Sequence, residues 1–356
     1  MHIVIMAGGR GTRFWPRSRS RTPKQLLNIV GDGTMLRQTF DRVRPLADPS
    51  RVWVVTNEEY REAVAHQLPD LPPDHIIAEP LVRSTAPCIG LAALHVHRRA
   101  GDEVMAVLSA DHWIGDEAAF LRCLMTGAEV ARHERTIVTI GIQPTSPETG
   151  YGYIQVGTLL GEMDGQRVHR VVRFTEKPDR ETAEQFLNGG QHLWNSGIFV
   201  WTASTILWHI ERLAPELHQG LMEIERALGT ADEPGRVRRV YETLPTVSID
   251  YAVMERADQV AVVLGGFGWS DVGSWSAVQP FWERDEHGNA VRGQVIGVDA
   301  SGMIVESGGK LVALIGVDDL IVIETDDVLL VCRKDRDQDI KRMISELERR
   351  GLTEYL

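Results

Sequence analysis

Short apolar segments alternate with amphipathic segments over the first 142 residues, and this alternation restricts the fold more than any other feature of the chain. The apolar segments read "HIVIM", "RVWVVT", "HIIAE", "VMAVLSAD" and "TIVTIGI". The segments between them have helical character, at 34–46, 58–67, 85–100 and 117–132. Continuous apolar strands separated by helices predict an α/β fold with a doubly wound, mostly parallel, Rossmann-like sheet. Ligands of such sheets bind at the carboxyl ends of the strands, so motifs that follow strands have priority.

The rest of the chain predicts two further regions. Strands around "RVHRVVRFTEKP" and "WNSGIFVW" flank a short helix, and a mostly helical stretch at 203–256 precedes a strand at "QVAVV". Beyond residue 284, short β-rich pieces recur about every eight to ten residues, and a helix with Gly351 as its stop follows them. This spacing is typical of a small β-roll, a sandwich or a solenoid. We therefore predict a large α/β domain at 1–284 and a small β-rich, β-helix-like domain at 285–356.

Composition excludes some classes of partner. The 356 residues carry a formal net charge of -12, which is unfavourable for general binding to nucleic acids or anionic membranes. No apolar run reaches the roughly 18 residues of a membrane span. Three distant cysteines indicate a reducing compartment, so the expected location is the cytoplasm.

A basic, glycine-rich segment, "AGGRGTRFWPRSRSRTPKQ", follows the first strand. It lacks the third glycine of the dinucleotide fingerprint, and Lys24 lies too far from the glycines for a P-loop. The backbone of Gly8, Gly9 and Gly11 can approach a nucleotide closely, while Arg13 and Lys24 can stabilise a leaving pyrophosphate. The alternative is a mobile basic surface loop.

Carboxylates and other polar residues follow later strands. Asp111 ends the fourth strand and Asp271 lies in "GWSDVGSW"; each is a candidate ligand for Mg²⁺, and the alternative is a helix cap or a turn. "FTEKP" places Glu176 and Lys177 at a strand end, where they could contact a sugar phosphate or form an ordinary surface ion pair.

Further candidates extend this pattern. Asn195 suits a hydroxyl-bearing ligand, and Gly150 and Gly152 suit a close backbone approach to a sugar, although glycines at these positions are equally typical of turns. Ser84 and Thr85 are candidate caps for the helix that follows them.

Taken in order, these motifs resemble the sugar-phosphate nucleotidyltransferases. The set comprises "GGRGTRFWPRSRSRTPKQ", "AEPLVRSTAP", "LSADHWI", "TGYGYI", "FTEKP", "WNSGIF", "SIDYAVME" and "WSDVGSW". "PKQ" and the late segment "ETDDVLLVCRKDRDQDIKRM" resemble the mannose-1-phosphate guanylyltransferase branch. Larger members of that branch carry an added cupin-like isomerase domain, and the length of this chain predicts that the second activity is absent.

The resemblance implies an Mg²⁺-dependent, cytoplasmic enzyme of GDP-mannose biosynthesis that makes GDP-mannose and pyrophosphate from GTP and mannose 1-phosphate. It implies that Asp111 and Asp271 hold the metal and that Arg13, Lys24 and Lys177 are catalytic. The implied sugar-binding residues are Gly150, Gly152, Glu176 and Asn195. The implied nucleotide-binding residues are Ala7, Gly8, Gly9, Gly11, Thr12, Glu79, Arg83, Ser84, Thr85 and Asp111.

Two other functions remain open on the residues alone. One is nucleotidyl transfer with another base or sugar, and the other is a non-catalytic subunit that senses nucleotide sugars. Because the glycine-rich segment and both aspartates are present, we favour the enzyme. We expect no nucleic-acid or membrane partner. The apolar strands and exposed edges of the C-terminal domain predict a homodimer, and the alternative is a purely structural role in which the domain packs on the rest of the chain and caps an edge.

Overall fold

The computed structural model describes residues 1–9, 11–133 and 135–356. The strands are β1 (His2–Ala7), β2 (Val52–Asn57), β3 (Ile76–Glu79), β4 (Val104–Ser109), β5 (Trp113–Ile114), β6 (Ile137–Ile142), β7 (Tyr153–Met163), β8 (Gln166–Thr175), β9 (His192–Thr202), β10 (Val260–Gly265), β11 (Trp269–Ser270), β12 (Ala290–Arg292), β13 (Val295–Ser301), β14 (Ile304–Glu306), β15 (Val312–Asp318), β16 (Leu320–Glu324) and β17 (Leu329–Arg333). The α-helices are α1 (Met35–Val43), α2 (Arg61–Gln67), α3 (Thr85–Ala100), α4 (Glu117–Ala131), α5 (Arg180–Gly189), α6 (Ala203–Leu213), α7 (Pro215–Glu225), α8 (Glu233–Thr243) and α9 (Ile340–Arg350).

Contacts divide the chain into two compact units, each of which gathers distant parts of the sequence. The first unit comprises Met1–Gly8, Phe40–Ala110 and Ile114–Trp269. The second comprises Gly9–Thr39, Asp111–Trp113 and Ser270–Leu356. The glycine-rich segment beyond Gly8 therefore clusters with the C-terminal residues. This division by contacts differs from the linear boundary predicted after residue 284, which stays a prediction.

A large sheet organises the first unit, with strand order β3-β2-β1-β4-β9-β6-β10-β8-β7. The strands β3, β2, β1 and β4 are parallel, as the alternating pattern predicts, and β6 is parallel to β10. However, β9 runs antiparallel between β4 and β6, β7 pairs antiparallel with both β8 and β9, and β8 pairs antiparallel with β10. The α/β class is confirmed, and the sheet is more mixed than expected because β9 enters its middle in the antiparallel direction and the β7–β8 hairpin joins its edge.

The strands of this sheet have uninterrupted apolar sequences because their side chains are buried. Val4, Val55, Val107 and Trp201 are at most 2% exposed and belong to one buried cluster. Residues of α3, α6, α7 and α8 pack into the same cluster. Burial on this scale stabilises the unit by roughly 25 cal/mol for each Å² of apolar surface removed from water.

The second unit contains stacked parallel strands. Strands β12, β14 and β16 pair in parallel, β13 pairs in parallel with β15, and β17 closes one edge antiparallel to β16. Successive coils thus stack on one another, as in a β-helix, and the expected C-terminal β-rich domain is confirmed. The predicted last helix appears as α9, and it ends at Gly351, whose φ is 73°.

Aromatic residues of the glycine-rich segment lie in the core of this second unit. Phe14 packs edge-on against Trp275 with ring centroids 5.0 Å apart. The indole of Trp275 donates to the carbonyl of Trp15 at 3.1 Å, and that of Trp282 donates to the carbonyl of Ile29 at 2.9 Å. These contacts hold the middle of the segment at Phe14 and Trp15, and the chain just after it at Ile29.

In the described part of the chain, no helix is both long and apolar enough to cross a membrane.

Candidate active site

Gly11 and Lys24 fix the turn of the glycine-rich segment in the second unit. Gly11 has a φ of 59°, which favours glycine, and a side-chain carbon at this position would overlap Cβ of Lys24. Nearby, the Gln25 amide donates to the carbonyl of Gly9 at 2.8 Å. Thr12 opens the short 3-10 turn Thr12–Phe14. The turn therefore depends on the absence of a side chain at Gly11.

Lys24 brings the two predicted metal ligands together. Its side chain is 4% exposed, and Nζ donates to Oδ2 of Asp111 at 2.9 Å, to the carbonyl of Asp111 at 2.9 Å and to the carbonyl of Asp271 at 2.7 Å. An ammonium group has three N–H donors, so these oxygens use its full capacity. Two residues that are 160 positions apart in the sequence thus meet at one nitrogen atom.

Asp111 has the charge state that a cation ligand needs. Its side chain is 35% exposed. Burial opposes ionisation of the carboxyl, but Lys24 and His112 outweigh this effect and hold the pKa of Asp111 below its usual value. In the described residues no group of three or more His, Cys, Asp or Glu side chains could hold a metal ion. A pair of carboxylates with phosphate oxygens is a donor set that fits Mg²⁺.

Arg13 lies against the loop that carries Asp271. Its Nη1 donates to the carbonyl of Gly273 at 2.9 Å. A Cβ atom at Gly273 would lie 2.6 Å from Oδ2 of Asp271 and 3.0 Å from Nη1 of Arg13, so glycine lets both groups approach the backbone. Arg13, Lys24, Asp111 and Asp271 are therefore neighbours within one unit.

Two other cations of the same segment, Arg17 and Arg19, form ion pairs with carboxylates of the protein. Arg17 pairs with Glu306 at 2.5 Å, and Arg19 pairs with Asp327 at 2.7 Å and donates to the carbonyl of Tyr355. Arg17 and Arg19 therefore attach the segment to the C-terminal domain, and they are not among the cations predicted to bind phosphate.

In the first unit, Ala7 and Gly8 end β1 beside two polar side chains. The hydroxyl of Thr56 donates to the carbonyl of Ala7 at 2.9 Å, and the amide of Asn57 donates to the carbonyl of Gly8 at 3.0 Å. A Cβ atom at Gly8 would lie 3.6 Å from Oε2 of Glu79. Asn57 was not among the predicted site residues; its place at the carboxyl end of β2 was the available signal.

Glu79 is a buried carboxyl with an unusual charge state. It is 5% exposed, and the Tyr241 hydroxyl donates to its Oε1 at 3.1 Å. Burial raises the pKa of Glu79 to about 7, although hydrogen bonds from Tyr241 and Cys88 favour the charged form. The carboxyl therefore changes charge close to neutral pH.

The segment after Glu79 has contacts within the first unit. The guanidinium of Arg83 donates to the carbonyls of Tyr241 and Glu242, both at 2.7 Å, and so caps the end of α8. Ser84 precedes α3 with a φ of 69° and makes no side-chain capping bond, whereas the Thr85 hydroxyl accepts the Ile249 N–H at 2.9 Å. A positive φ at a serine is a strained conformation that is concentrated at functional sites.

The predicted sugar-binding residues divide into a close group and one separate glycine. A Cβ atom at Gly152 would lie 2.5 Å from Oε2 of Glu176 and 3.3 Å from Cβ of Asn195. The carbonyl of Gly152 accepts the Asn195 N–H at 2.8 Å. At Gly150, by contrast, no protein atom lies within 4 Å of that position, so the space beside its backbone is open, and its approach to a sugar stays a prediction.

Lys177 stands at the end of β8 in a left-handed conformation, with a φ of 49°. Its ammonium pairs with Glu176, whose side chain is 6% exposed while that of Lys177 is 54% exposed. Burial opposes the ammonium charge, but Glu176 and Asp250 raise the pKa of Lys177 above its usual value. Lys177 therefore remains a cation at physiological pH.

Comparison with known families agrees with this arrangement. The family model described as "Nucleotidyl transferase" matches residues 2–286. A second model, described as "MannoseP isomerase/GMP-like beta-helix domain", matches residues 293–347.

Individual relatives are similar over nearly the whole chain. The xanthan biosynthesis protein XanB of Xanthomonas campestris is 41% identical over 354 residues, which are 99% of this chain and 74% of that protein. A mannose-1-phosphate guanylyltransferase of Klebsiella pneumoniae is 40% identical over 358 residues, covering 99% of this chain and 75% of that protein. A crystal structure from Thermus thermophilus, described as a mannose-1-phosphate geranyltransferase, has a TM-score of 0.86 at 35% identity and covers 98% of this chain and 99% of its own. The chain therefore belongs to the nucleotidyl transferase family, and its C-terminal segment belongs to the beta-helix domain family that accompanies it.

Proposed function

We propose that the chain transfers GMP from GTP to mannose 1-phosphate and releases GDP-mannose and pyrophosphate. The observation that carries this proposal is the 40% identity, over 99% of the chain, to a relative named for this activity. The contacts of Lys24 with the Asp111 carboxylate and the Asp271 backbone carbonyl support the chemistry, because they bring the two proposed metal-binding residues to one cation within one unit.

The reaction needs no protein nucleophile. An oxygen of mannose 1-phosphate is already anionic at neutral pH, and it forms the new bond to the α-phosphorus of GTP. The bond from that phosphorus to the bridging oxygen breaks in line, and the electron pair leaves with pyrophosphate. Arg13 and Lys177 supply positive charge for the reacting phosphates.

Asp111 and Asp271 are the residues that we propose to hold Mg²⁺. A bound magnesium ion supplies positive charge to phosphate oxygens and fixes their orientation. Lys24 holds the carboxylate of Asp111 and the backbone carbonyl of Asp271, and the lowered pKa of Asp111 keeps its carboxyl ionised. The nucleotide roles of Ala7, Gly8, Gly9, Thr12, Glu79, Arg83, Ser84 and Thr85 remain predictions.

Pyrophosphate release by the purified protein tests the proposal. GTP, ATP, UTP and dTTP are each combined with mannose, glucose and fucose 1-phosphates in the presence of Mg²⁺. Release with GTP and mannose 1-phosphate alone supports it, and release with another pair would replace the base or the sugar. Nucleotide binding without release from any pair would favour the sensing subunit.

A matched pair of variants tests the metal site in the same assay. Asp271→Asn is expected to lower kcat at least about 100-fold, whereas Asp326→Asn changes an exposed aspartate of the same unit and is expected to leave kcat unchanged. EDTA should abolish release and added Mg²⁺ should restore it. Equal kcat values for both variants would remove Asp271 from the site.

The homodimer and the cytoplasmic location stay predictions. The exposed apolar side chains Ile296, Val298 and Ile315, which are 54–75% exposed, lie on β13 and β15 and are the surface that we expect a second copy to cover. Light scattering after size-exclusion chromatography measures the dimer, and Ile315→Asp is expected to convert it to a monomer.

A further inference from the structure

Asp250 lies beside the predicted sugar-binding residues, although the sequence did not single it out. It is the first residue of a π-helical turn, Asp250–Met254, and its carboxyl accepts a hydrogen bond from Nδ2 of Asn195 at 3.1 Å. The residue before it is held by Thr85, which accepts the Ile249 N–H. The backbone on the N-terminal side of Asp250 is therefore fixed by a contact with the start of α3.

The orientation of Asn195 makes Asp250 a specific partner. The N–H of Gly197, which can only donate, bonds to Oδ1 of Asn195 at 3.2 Å. The other end of the amide, Nδ2, must therefore face Asp250. Asn195 is 9% exposed, so its side chain has little freedom to turn away.

The charges around Asp250 do not balance. Glu176 and Lys177 face it from the end of β8, while Tyr251 and the hydroxyl of Ser248 are its neighbours along the chain. Glu255 of the same region accepts the backbone N–H of Glu176. Burial and the nearby Glu176 carboxylate raise the pKa of Asp250 to about 6. The carboxylates of Glu176 and Asp250 thus share the single ammonium of Lys177. Ligand hydroxyl groups that donate hydrogen bonds to these carboxylates would reduce their mutual repulsion.

We propose that Asp250 is a sugar-binding residue, whose carboxylate forms with Glu176 a pair of hydrogen-bond acceptors for two hydroxyl groups of the hexose. This inference rests on the proposed function and extends it to a residue outside the predicted set. The ligand class is a polyol ring whose phosphate is neutralised by Lys177. Asn195 provides the fixed amide against which the Asp250 carboxylate is oriented.

Asp250→Asn tests the role without removing the local packing. The new amide has a similar size, and its oxygen can still accept from Asn195. Loss of a charged hydrogen bond to a hydroxyl is expected to raise KM for mannose 1-phosphate about tenfold or more. KM for GTP and kcat should stay within about twofold. The control is Asp258→Asn, the same change at a side chain that is 68% exposed, and it should alter none of these constants.

The affinity for GDP-mannose at two pH values provides a second readout. Because the diphosphate of GDP-mannose is esterified at both ends, it keeps its charge between about pH 5 and pH 7.5. Wild-type protein should bind GDP-mannose several-fold more weakly at about pH 5 than at about pH 7.5, since the Asp250 carboxylate is then protonated. Asp250→Asn should show a clearly smaller difference between the two pH values than wild-type protein, and the part that remains in both proteins is assigned to other groups such as Glu79, whose pKa is about 7.

The outcomes separate this inference from the proposed function. If the wild-type protein is active and Asp250→Asn has the same KM for mannose 1-phosphate, the inference alone is overturned. The inference would also fail if the variant raised KM for GTP as strongly as KM for the sugar phosphate. Failure of the wild-type protein to release pyrophosphate from GTP and mannose 1-phosphate would overturn both.

Discussion

Replacement of Lys24 by methionine tests whether this lysine holds the fold of the site or serves only as a phosphate ligand. In the structure its ammonium has three oxygen partners within 2.9 Å and is almost fully buried. Methionine has a similar length but no donor, so the change leaves the Asp111 carboxylate and two carbonyl oxygens without this partner. We therefore expect a loss of stability in the absence of any ligand.

The size of the loss follows from the burial of the two partners. Removal of one member of a fully buried ion pair costs about 3–5 kcal/mol. The Asp111 side chain is 35% exposed and can recover water, so we take the lower end, about 3 kcal/mol. At about 2.1 cal/mol/K for each residue, 356 residues give an unfolding entropy of about 0.75 kcal/mol/K, and Tm should fall by about 4 °C.

Differential scanning calorimetry of the ligand-free protein measures this change. The control is Lys310→Met, because Lys310 is 79% exposed and pairs with Glu324 at 3.1 Å. A surface pair of this kind contributes about 0–1 kcal/mol, so Tm should fall by at most about 1 °C. Equal Tm values for wild-type protein and Lys24→Met, together with loss of activity, would refute the anchoring role and favour a role in phosphate binding only.

Three further predictions concern single residues. Gly152→Ala should raise KM for mannose 1-phosphate, because its Cβ atom would lie 2.5 Å from Oε2 of Glu176, whereas Gly150→Ala should leave KM unchanged; steady-state kinetics compares them. Glu79→Gln should change the pH dependence of stability. The raised pKa of Glu79 contributes stability that is fully present below about pH 4.5 and is lost as the pH rises to about 7. In urea unfolding, the wild-type protein should therefore lose up to about 3 kcal/mol of unfolding free energy relative to the variant across that range. Arg83→Leu removes the donors that cap α8 and should lower Tm by a few degrees, and an unchanged Tm would show that the cap is dispensable.

The strands and helices of the first 142 residues follow from local pattern. The segment predicted at 85–100 is the observed α3, and the helix predicted at 117–132 is α4 within one residue. These elements are buried on the faces that their periodicity indicates, so local sequence and tertiary packing favour the same structure. By contrast, β7 was not predicted, because its polar side chains interrupt the alternation.

The β7–β8 hairpin nevertheless had a recognisable signal in the sequence. Asp164 and Gly165 separate the two strands, with φ values of 49° and 75°. An Asp-Gly pair of this kind is typical of a two-residue hairpin turn. Recognition of that turn would have predicted antiparallel pairing at this edge of the sheet.

The candidate site was predictable as a set of residues and not as a set of contacts. Asp111 and Asp271 were selected from motifs, but the role of Lys24 in joining them depends on a contact across 247 positions of sequence. Asp250 was missed because it lies within an apolar motif, where an acidic residue is the unusual feature. Contacts between distant segments depend on the completed fold, so no local pattern contains them.

The attachment of the glycine-rich segment to the C-terminal domain has a consequence for protein synthesis. The indole of Trp15 donates to the carbonyl of Tyr355 at 2.7 Å, and the partner of Arg17 is Glu306. A ribosome that has translated only as far as Thr39 has not yet made these partners. Folding of the second unit must therefore wait until residues near Tyr355 have been synthesised, whereas strands of the first unit can pair earlier. During translation, the glycine-rich segment, on which the predicted chemistry depends, is thus the part of the nascent chain that waits longest for its partners.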